Sequence, residues 1–83
     1  MYVHIGDDIA VRSDTVTAVV NIETVLPSQK DVTGFIKAED ENNRLQYLTD
    51  DIPRSMILTV DRTYISSLSV EVLRRRIEGE MTI

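Results

Sequence analysis

The segment Ser55-Met56-Ile57-Leu58-Thr59-Val60 is the most strand-like part of this 83-residue sequence. Three consecutive apolar residues at its centre are typical of a strand that is covered on both faces. The residues that follow predict a tight turn at 61–63 and a return strand at 64–67. We therefore expect a β-sheet whose core lies around this segment. The residues expected to be buried together are Met56, Ile57, Leu58, Ile65, Leu73 and Phe35.

The N-terminal part of the chain predicts further strands. Residues 2–5 are β-branched and aromatic, and Gly6-Asp7-Asp8 has the composition of a turn that ends them. Extended apolar patterns resume at residues 9–12 and again at 15–22, so we expect these three pieces to form a small antiparallel meander. Another short strand is predicted at 44–48.

Two segments show the three- to four-residue spacing of apolar side chains that indicates an amphipathic helix. In the first, Ser28 is the expected N-cap, although Gly34 within the helix costs about 1 kcal/mol relative to alanine. In the second, Ser69 is the expected N-cap and Gly79 the expected stop. Together the elements predict an α+β fold, with a small, mostly antiparallel sheet and two helices, in a single domain of residues 1–83.

The size and composition of the chain constrain its class. A domain of 83 residues buries only about 60% of its unfolded surface, and without cysteine it has no disulfide or thiolate metal site to support its core. Association with further copies is one physical remedy, so we expect a homo-oligomer. The sequence shows no signal-peptide pattern and no apolar stretch near the roughly 20 residues that span a bilayer. We therefore expect a cytoplasmic protein without a membrane partner.

The net charge of −5 disfavours a general nucleic-acid binder, because neutralisation of phosphates dominates such affinity. The charge is unevenly distributed, however. Residues 1–51 hold four basic and ten acidic groups, a net charge of −6, whereas residues 52–83 hold five arginines and four acids, a net charge of +1. A local basic stripe that is repeated around an oligomer could still attract DNA.

No sequence pattern specifies a reaction, so we expect a protein that is not an enzyme and has no catalytic residue, metal, cofactor or small-molecule substrate. His4 is the only histidine and has no accompanying nucleophile pattern or thiolate. The pairs Asp7-Asp8 and Asp50-Asp51 lack the alternating oxygen ligands of a calcium loop, and they are typical of turns. A hard-cation site at these pairs is the alternative interpretation.

The run Arg74-Arg75-Arg76 and the single Arg54 are the candidate phosphate-binding residues. Three successive helical residues spread over most of the circumference at 3.6 residues per turn, so at least one of the three should fold against the protein. An equally good interpretation is that the run is a solvated helix end, whose positive charges interact favourably with the helix dipole. Arg54 lies at the entry of the buried strand, where an arginine on a rigid element suits phosphate contacts.

Three blocks of this sequence, in this order, resemble a family of small bacterial extracellular-matrix regulators called RemA and RemB, and the RemB-like branch most closely. The blocks are Met1-Tyr2-Val3-His4-Ile5-Gly6-Asp7-Asp8, then Pro53-Arg54-Ser55-Met56-Ile57-Leu58-Thr59-Val60, and finally Tyr64-Ile65-Ser66-Ser67-Leu68-Ser69 with Leu73-Arg74-Arg75-Arg76. The resemblance covers nearly the whole chain, although no single motif in it is chemically specific.

RemA-type members form closed rings and bind DNA through surface arginines, as transcription regulators of biofilm-matrix genes. The resemblance therefore implies a ring-like homo-oligomer that contacts the phosphates of double-stranded DNA, here through Arg54 and the run Arg74-Arg75-Arg76. At two places where relatives carry DNA-contacting arginines, this chain has Ser13-Asp14-Thr15 and Asp51-Ile52-Pro53. The missing arginines and the acidic charge favour the alternative, an oligomeric assembly or interaction protein of the same fold that does not bind DNA.

Overall fold

The computed structural model describes residues 1–26 and 28–81, which form an α+β architecture. The elements are β1 Tyr2–Gly6, β2 Ile9–Arg12, β3 Val16–Asn21, α1 Lys30–Glu41, β4 Leu45–Tyr47, β5 Ser55–Thr59, β6 Thr63–Ser66 and α2 Val70–Met81. Four strands form one sheet in the order β3-β5-β6-β4, and β1 pairs with β2 in a separate hairpin. Among the described strands β4 and β6 run parallel, and the other pairs run antiparallel. The predicted fold class is confirmed.

The hairpin of β1 and β2 turns at Asp7 and Asp8, whose φ angles of 47° and 60° are positive. A two-residue hairpin loop favours this left-handed geometry, and aspartate tolerates it better than most residues other than glycine. The predicted turn is confirmed, but the predicted three-stranded meander is wrong. A short 3₁₀ turn at Ser13–Thr15 redirects the chain after β2, and β3 pairs with β5 in the larger sheet.

The main core lies between the four-stranded sheet and a layer made of the hairpin and α2. Its buried residues are Val3, Ile5, Leu48, Ile57 and Leu73. Since side chains alternate along a strand, Met56 and Leu58 lie on the opposite face of β5, toward α1. Met56 is buried there and Leu58 is half-buried. The central strand is therefore covered on both faces as predicted, but unequally.

The helix α1 differs from its prediction at its start and in its packing. Gln29, not Ser28, is the N-cap, and its side-chain Oε1 accepts a hydrogen bond from the backbone N–H of Leu26 at 2.6 Å. Phe35 was predicted to be in the core but is 37% exposed, and no residue of α1 is buried. The reason is that α1 makes its main contact at β4, an edge strand of the sheet.

The helix α2 begins where the sequence predicts and ends later. The Oγ of Ser69 accepts a hydrogen bond from the N–H of Val72 at 3.2 Å, which confirms the predicted N-cap. The predicted stop at Gly79 is wrong, because α2 continues to Met81. Gly79 does not adopt the positive φ that a C-cap glycine uses to end a helix. Within residues 1–26 and 28–81, no helix is long and apolar enough to cross a membrane.

Two polar contacts connect the layers. The buried Ser66 at the end of β6 donates its hydroxyl proton to the carbonyl of Ile5 at 2.6 Å and accepts from the N–H of Leu68 at 3.1 Å. Glu39 of α1 accepts from the hydroxyl of Thr63 at 2.7 Å and from the Nε of Arg44 at 3.0 Å. The first contact attaches the hairpin to the larger sheet, and the second attaches the end of α1 to β4 and β6.

Truncation of Ile57 to alanine is expected to lower the free energy of unfolding by about 2–5 kcal/mol, because it leaves a cavity at the centre of the core. Ile52, which is 82% exposed, is a matched control, and Ile52→Ala should change the free energy by less than about 0.5 kcal/mol. Chemical denaturation of both variants measures the difference. Equal losses in the two variants would contradict the placement of Ile57.

Candidate nucleic-acid interface

Arg54 is fixed at the entry of β5 by its backbone. Its N–H donates to the carbonyl of Ser66 at 2.9 Å, and its own carbonyl accepts from the N–H of Ile22 at 3.3 Å. The guanidinium Nε donates to a carboxylate oxygen of Glu23, and the two side chains are 50% and 38% exposed. Arg54 is therefore on a rigid element, as predicted, but its charge is already paired within the chain.

The end of the sheet where Arg54 lies is acidic. Asn21, Ser55 and Ser66 are paired in register, so the loop after β3 and the loop before β5 emerge at the same end. A shallow depression of about 400 Å³ at this end is lined mostly by polar residues, together with Leu48. Glu23 follows β3 and Asp50 and Asp51 precede β5, while Asp7 of the hairpin loop also lines the depression. Such negative surroundings oppose the approach of a phosphate to Arg54.

The three successive arginines of α2 point in different directions. Arg75 donates to Glu71 Oε1 at 2.7 Å, and the Nε of Arg74 lies 3.9 Å from Glu78 Oε1. Arg76 instead donates from Nη1 to the backbone carbonyl of His4 at 2.9 Å, which confirms that one of the three folds against the protein. The side chains of Arg74 and Arg75 are 68% and 70% exposed, so both present their charge to solvent.

The pairs on α2 follow the four-residue spacing that places side chains of successive helical turns side by side. The hydrogen bond and the charge of Arg75 lower the pKa of the Glu71 carboxyl below its ordinary value. Glu71 is therefore ionised at neutral pH, and its negative charge balances the positive charge of Arg75. Because both groups are exposed, the pair adds little to stability and can exchange for another anion.

The structure also brings together arginines that the sequence pattern does not single out. The N–H of Thr63 donates to the carbonyl of Arg44 at 2.8 Å, which places Arg44 beside Arg62. Arg62 donates from Nη1 to the amide oxygen of Gln46 at 3.0 Å, so its partner is uncharged. No sequence signal predicts this pair, because the parallel pairing of β4 with β6 joins segments that are distant in the chain.

The candidate arginines do not form one cluster. Arg54 and the α2 run lie on separate elements, and no hydrogen bond between residues of the described ranges joins them. In the same ranges, no group of three or more histidine, cysteine, aspartate or glutamate side chains could hold a metal ion. The paired aspartates act in turns, since the N–H of Asp51 donates to Thr49 Oγ1 at 2.9 Å and Asp7 and Asp8 form the hairpin loop.

Comparison with known families shows what the chain is similar to. The model of a family described as RemA-like, Extracellular matrix regulatory protein A-like, matches residues 2–77. The matched range includes every strand and Arg54, Arg74, Arg75 and Arg76. No curated protein matches the chain.

The pKa of Glu71 is expected to rise toward its ordinary value in an Arg75→Gln variant, because the variant removes both the hydrogen bond and the positive charge that lower it. An NMR titration of the glutamate side-chain carbons between pH 2 and 7 would show the midpoint move upward. A lowered carboxyl pKa stabilises the fold at pH values above it, and this contribution disappears as the pH falls through it. Arg76→Gln is the matched control, and an equal shift in both variants would contradict the pairing.

Proposed function

Because this chain belongs to the RemA-like family of extracellular matrix regulatory proteins, we propose that it regulates matrix genes by binding DNA as a ring-like homo-oligomer. The family match over residues 2–77 carries this proposal. In the proposed complex, arginine side chains contact the phosphates of double-stranded DNA. The proposal assigns the chain no enzymatic reaction and no cofactor.

The helix α2 supplies the better-placed phosphate contacts. Arg74 and Arg75 are exposed, and their partners Glu78 and Glu71 lie on the same exposed surface. Pairs of this kind contribute at most about 1 kcal/mol, whereas a hydrogen bond from arginine to a phosphate is charge-assisted and often bidentate. A phosphate can therefore displace the carboxylate. Arg54 contributes less in this proposal because Glu23 already accepts a hydrogen bond from its guanidinium group.

Repetition of the chain in an oligomer supports binding despite the net charge of −5. A ring would place one α2 run from each copy on the same surface, and the local potential of such a stripe decides the contact more than the total charge. The exposed apolar side chains of the monomer are consistent with contacts between copies. The larger ones are Met1, Tyr2, Leu26, Phe35, Tyr47, Ile52 and Val60.

A second candidate function is an assembly protein of the same fold that does not bind DNA. The observation that favours it is the neutralisation of arginines within the chain: Arg54 by Glu23, and Arg75 by Glu71. If the carboxylates hold these arginines in the oligomer as well, the surface offers few free positive charges. Such a protein would act through contacts with other proteins alone.

The double variant Arg74→Ala/Arg75→Ala is expected to weaken binding to DNA of unrelated sequences, because it removes two guanidinium groups that neutralise phosphates. It should also flatten the salt dependence of log K by about 0.9 for each phosphate that is no longer neutralised. The triple variant with Arg76→Ala should act in the same direction, and Arg54→Ala should have a smaller effect. Fluorescence anisotropy with a labelled duplex at two or more salt concentrations measures these slopes.

The control for this titration is Arg12→Ala, which removes an exposed arginine that is paired with Asp14 on the hairpin. The slope of log K against the logarithm of the salt concentration should be the same for this variant as for the unchanged protein. The opposite test removes the competing acids: Glu71→Gln/Glu78→Gln should strengthen binding. An intact oligomer with no measurable affinity for duplex DNA at low salt would reject the DNA proposal and favour the assembly protein.

The oligomer itself is a separate expectation. At tens of micromolar, light scattering should give a mass well above the 9.4 kDa of one chain, because the small core without cysteine gains apolar burial through association. As the protein concentration is raised, the mass should reach a fixed limit if the ring is closed, whereas an open head-to-tail assembly would continue to grow. A mass of one chain at all concentrations would reject the homo-oligomer.

A further inference from the structure

Most arginines of this chain are paired with a carboxylate, but Arg62 is not. The paired ones are Arg12, Arg44, Arg54, Arg74 and Arg75. Arg62 is exposed, and its Nη1 donates instead to the amide oxygen of Gln46 at 3.0 Å. Among the described side chains, no carboxylate forms an ion pair with it. An anion that binds Arg62 therefore displaces no negative group, whereas at the paired arginines it competes with one.

Gln46 adds a second donor next to the guanidinium group. A guanidinium group only donates hydrogen bonds, so the amide oxygen of Gln46 faces Arg62 and the amide NH2 group remains free to donate. Nothing in the described part of the chain accepts from this NH2 group. Arg76 also has an uncharged acceptor, the carbonyl of His4, but a carbonyl adds no donor. Phosphate oxygens accept several hydrogen bonds at once, so Arg62 and Gln46 together suit them better.

The backbone holds Arg62 in a fixed position at the turn between β5 and β6. Its N–H donates to Thr59 Oγ1 at 3.1 Å, and its carbonyl accepts from the N–H and the hydroxyl of Thr59 at 3.0 and 2.7 Å. Gln46 is fixed as well, because β4 pairs with β6 and places Gln46 opposite Tyr64. A site whose parts are already in place loses little conformational entropy when it binds.

The acidic groups near Arg62 leave its hydrogen-bond donors free. Glu39 pairs with the neighbouring Arg44 at 3.0 Å, its side chain is only 13% exposed, and it also accepts from the hydroxyl of Thr63. Asp61 precedes Arg62 in the turn and is exposed, but it forms no ion pair with a described side chain. Asp61 therefore lowers the local positive potential without occupying the guanidinium group of Arg62.

We infer that Arg62 and Gln46 together bind a phosphate group, through the free guanidinium N–H groups and the amide NH2 group. The inference rests on the proposed function for the source of this phosphate, which is then the backbone of double-stranded DNA. It adds a contact on the sheet to the contacts of α2. Free inorganic phosphate offers similar oxygens, so the experiments separate the two sources.

Arg62→Ala is expected to lower the affinity for a labelled duplex at least about threefold at low salt, because one charge-assisted contact is lost. The slope of log K against the logarithm of the salt concentration should flatten by about 0.9 for each phosphate that is no longer neutralised. Arg12→Ala, which removes an arginine paired with Asp14, is the matched control and should leave both values unchanged. Circular dichroism should show an intact fold in both variants, since backbone atoms hold Arg62 in its turn.

Gln46→Glu tests the uncharged partner directly, because it places a carboxylate beside Arg62 and neutralises the guanidinium group. The affinity for the duplex should fall about as far as in Arg62→Ala. Gln29→Glu is the matched control, since it adds the same charge at the start of α1, whereas Arg44 follows its end. A helix of 12 residues is about 18 Å long, which exceeds the screening length of about 10 Å at 0.1 M salt. Equal losses in both glutamate variants would indicate an effect of net charge and would overturn the inference.

An NMR titration with inorganic phosphate at millimolar concentrations separates the site from the DNA. The Nε–Hε signal of Arg62 should shift in a saturable way and further than that of Arg12, and Gln46→Glu should abolish the shift. A signal that shifts no further than that of Arg12 would contradict the inference. If duplex binding is lost in Arg74→Ala/Arg75→Ala but kept in Arg62→Ala, the proposed function stands and the inference falls. If the unchanged protein binds no DNA, the proposed function falls, and the titration with inorganic phosphate decides the inference.

Discussion

The burial of β5 on both faces is the constraint on which the rest of the structure depends. Its edges are hydrogen-bonded to β3 and β6, so it cannot shift along the sheet without breaking both ladders. On one face, the hairpin and α2 cover Ile57 and exclude water from it. On the other face, α1 lies beside Met56. The positions of both helices follow from this one strand.

The two faces of the sheet are covered to different extents. On the face of Ile57, the hairpin and α2 form a continuous core, and the hydroxyl of Ser66 satisfies the carbonyl of Ile5 where the two layers join. On the other face, α1 is attached mainly through Glu39 and leaves Phe35 exposed. The well-packed face therefore supplies most of the buried core, whereas the open face leaves apolar side chains in contact with water.

The electrostatics of the surface follow from short-range pairing more than from the total charge. Glu71 and Glu78 lie four residues from Arg75 and Arg74 on α2. The same exposed strip of the helix therefore carries both positive and negative charges. Whether this strip attracts DNA depends on the competition between carboxylates and phosphates for the same guanidinium groups. Arg54 is in a different position, because tertiary structure brings it against Glu23, a carboxylate that is distant in the chain.

The sequence by itself determined the local features of this protein. The positions of the strands, the turn at Asp7 and Asp8 and the N-cap at Ser69 were predicted correctly, because each depends on neighbouring residues and their periodicity. The resemblance to the RemA and RemB family also rests on short blocks of residues, and the family match over residues 2–77 confirms it at the level of the RemA-like family.

Only the tertiary structure decided which segments meet. Pairing of β3 with β5, the exposure of Phe35, the acidic surroundings of Arg54 and the contact of Arg76 with the carbonyl of His4 all join residues that are distant in the chain. Periodicity shows which side of a helix or strand is apolar, but it does not show which element covers that side or how completely. The arrangement of the candidate site therefore followed from packing, although its residue types were visible in the sequence.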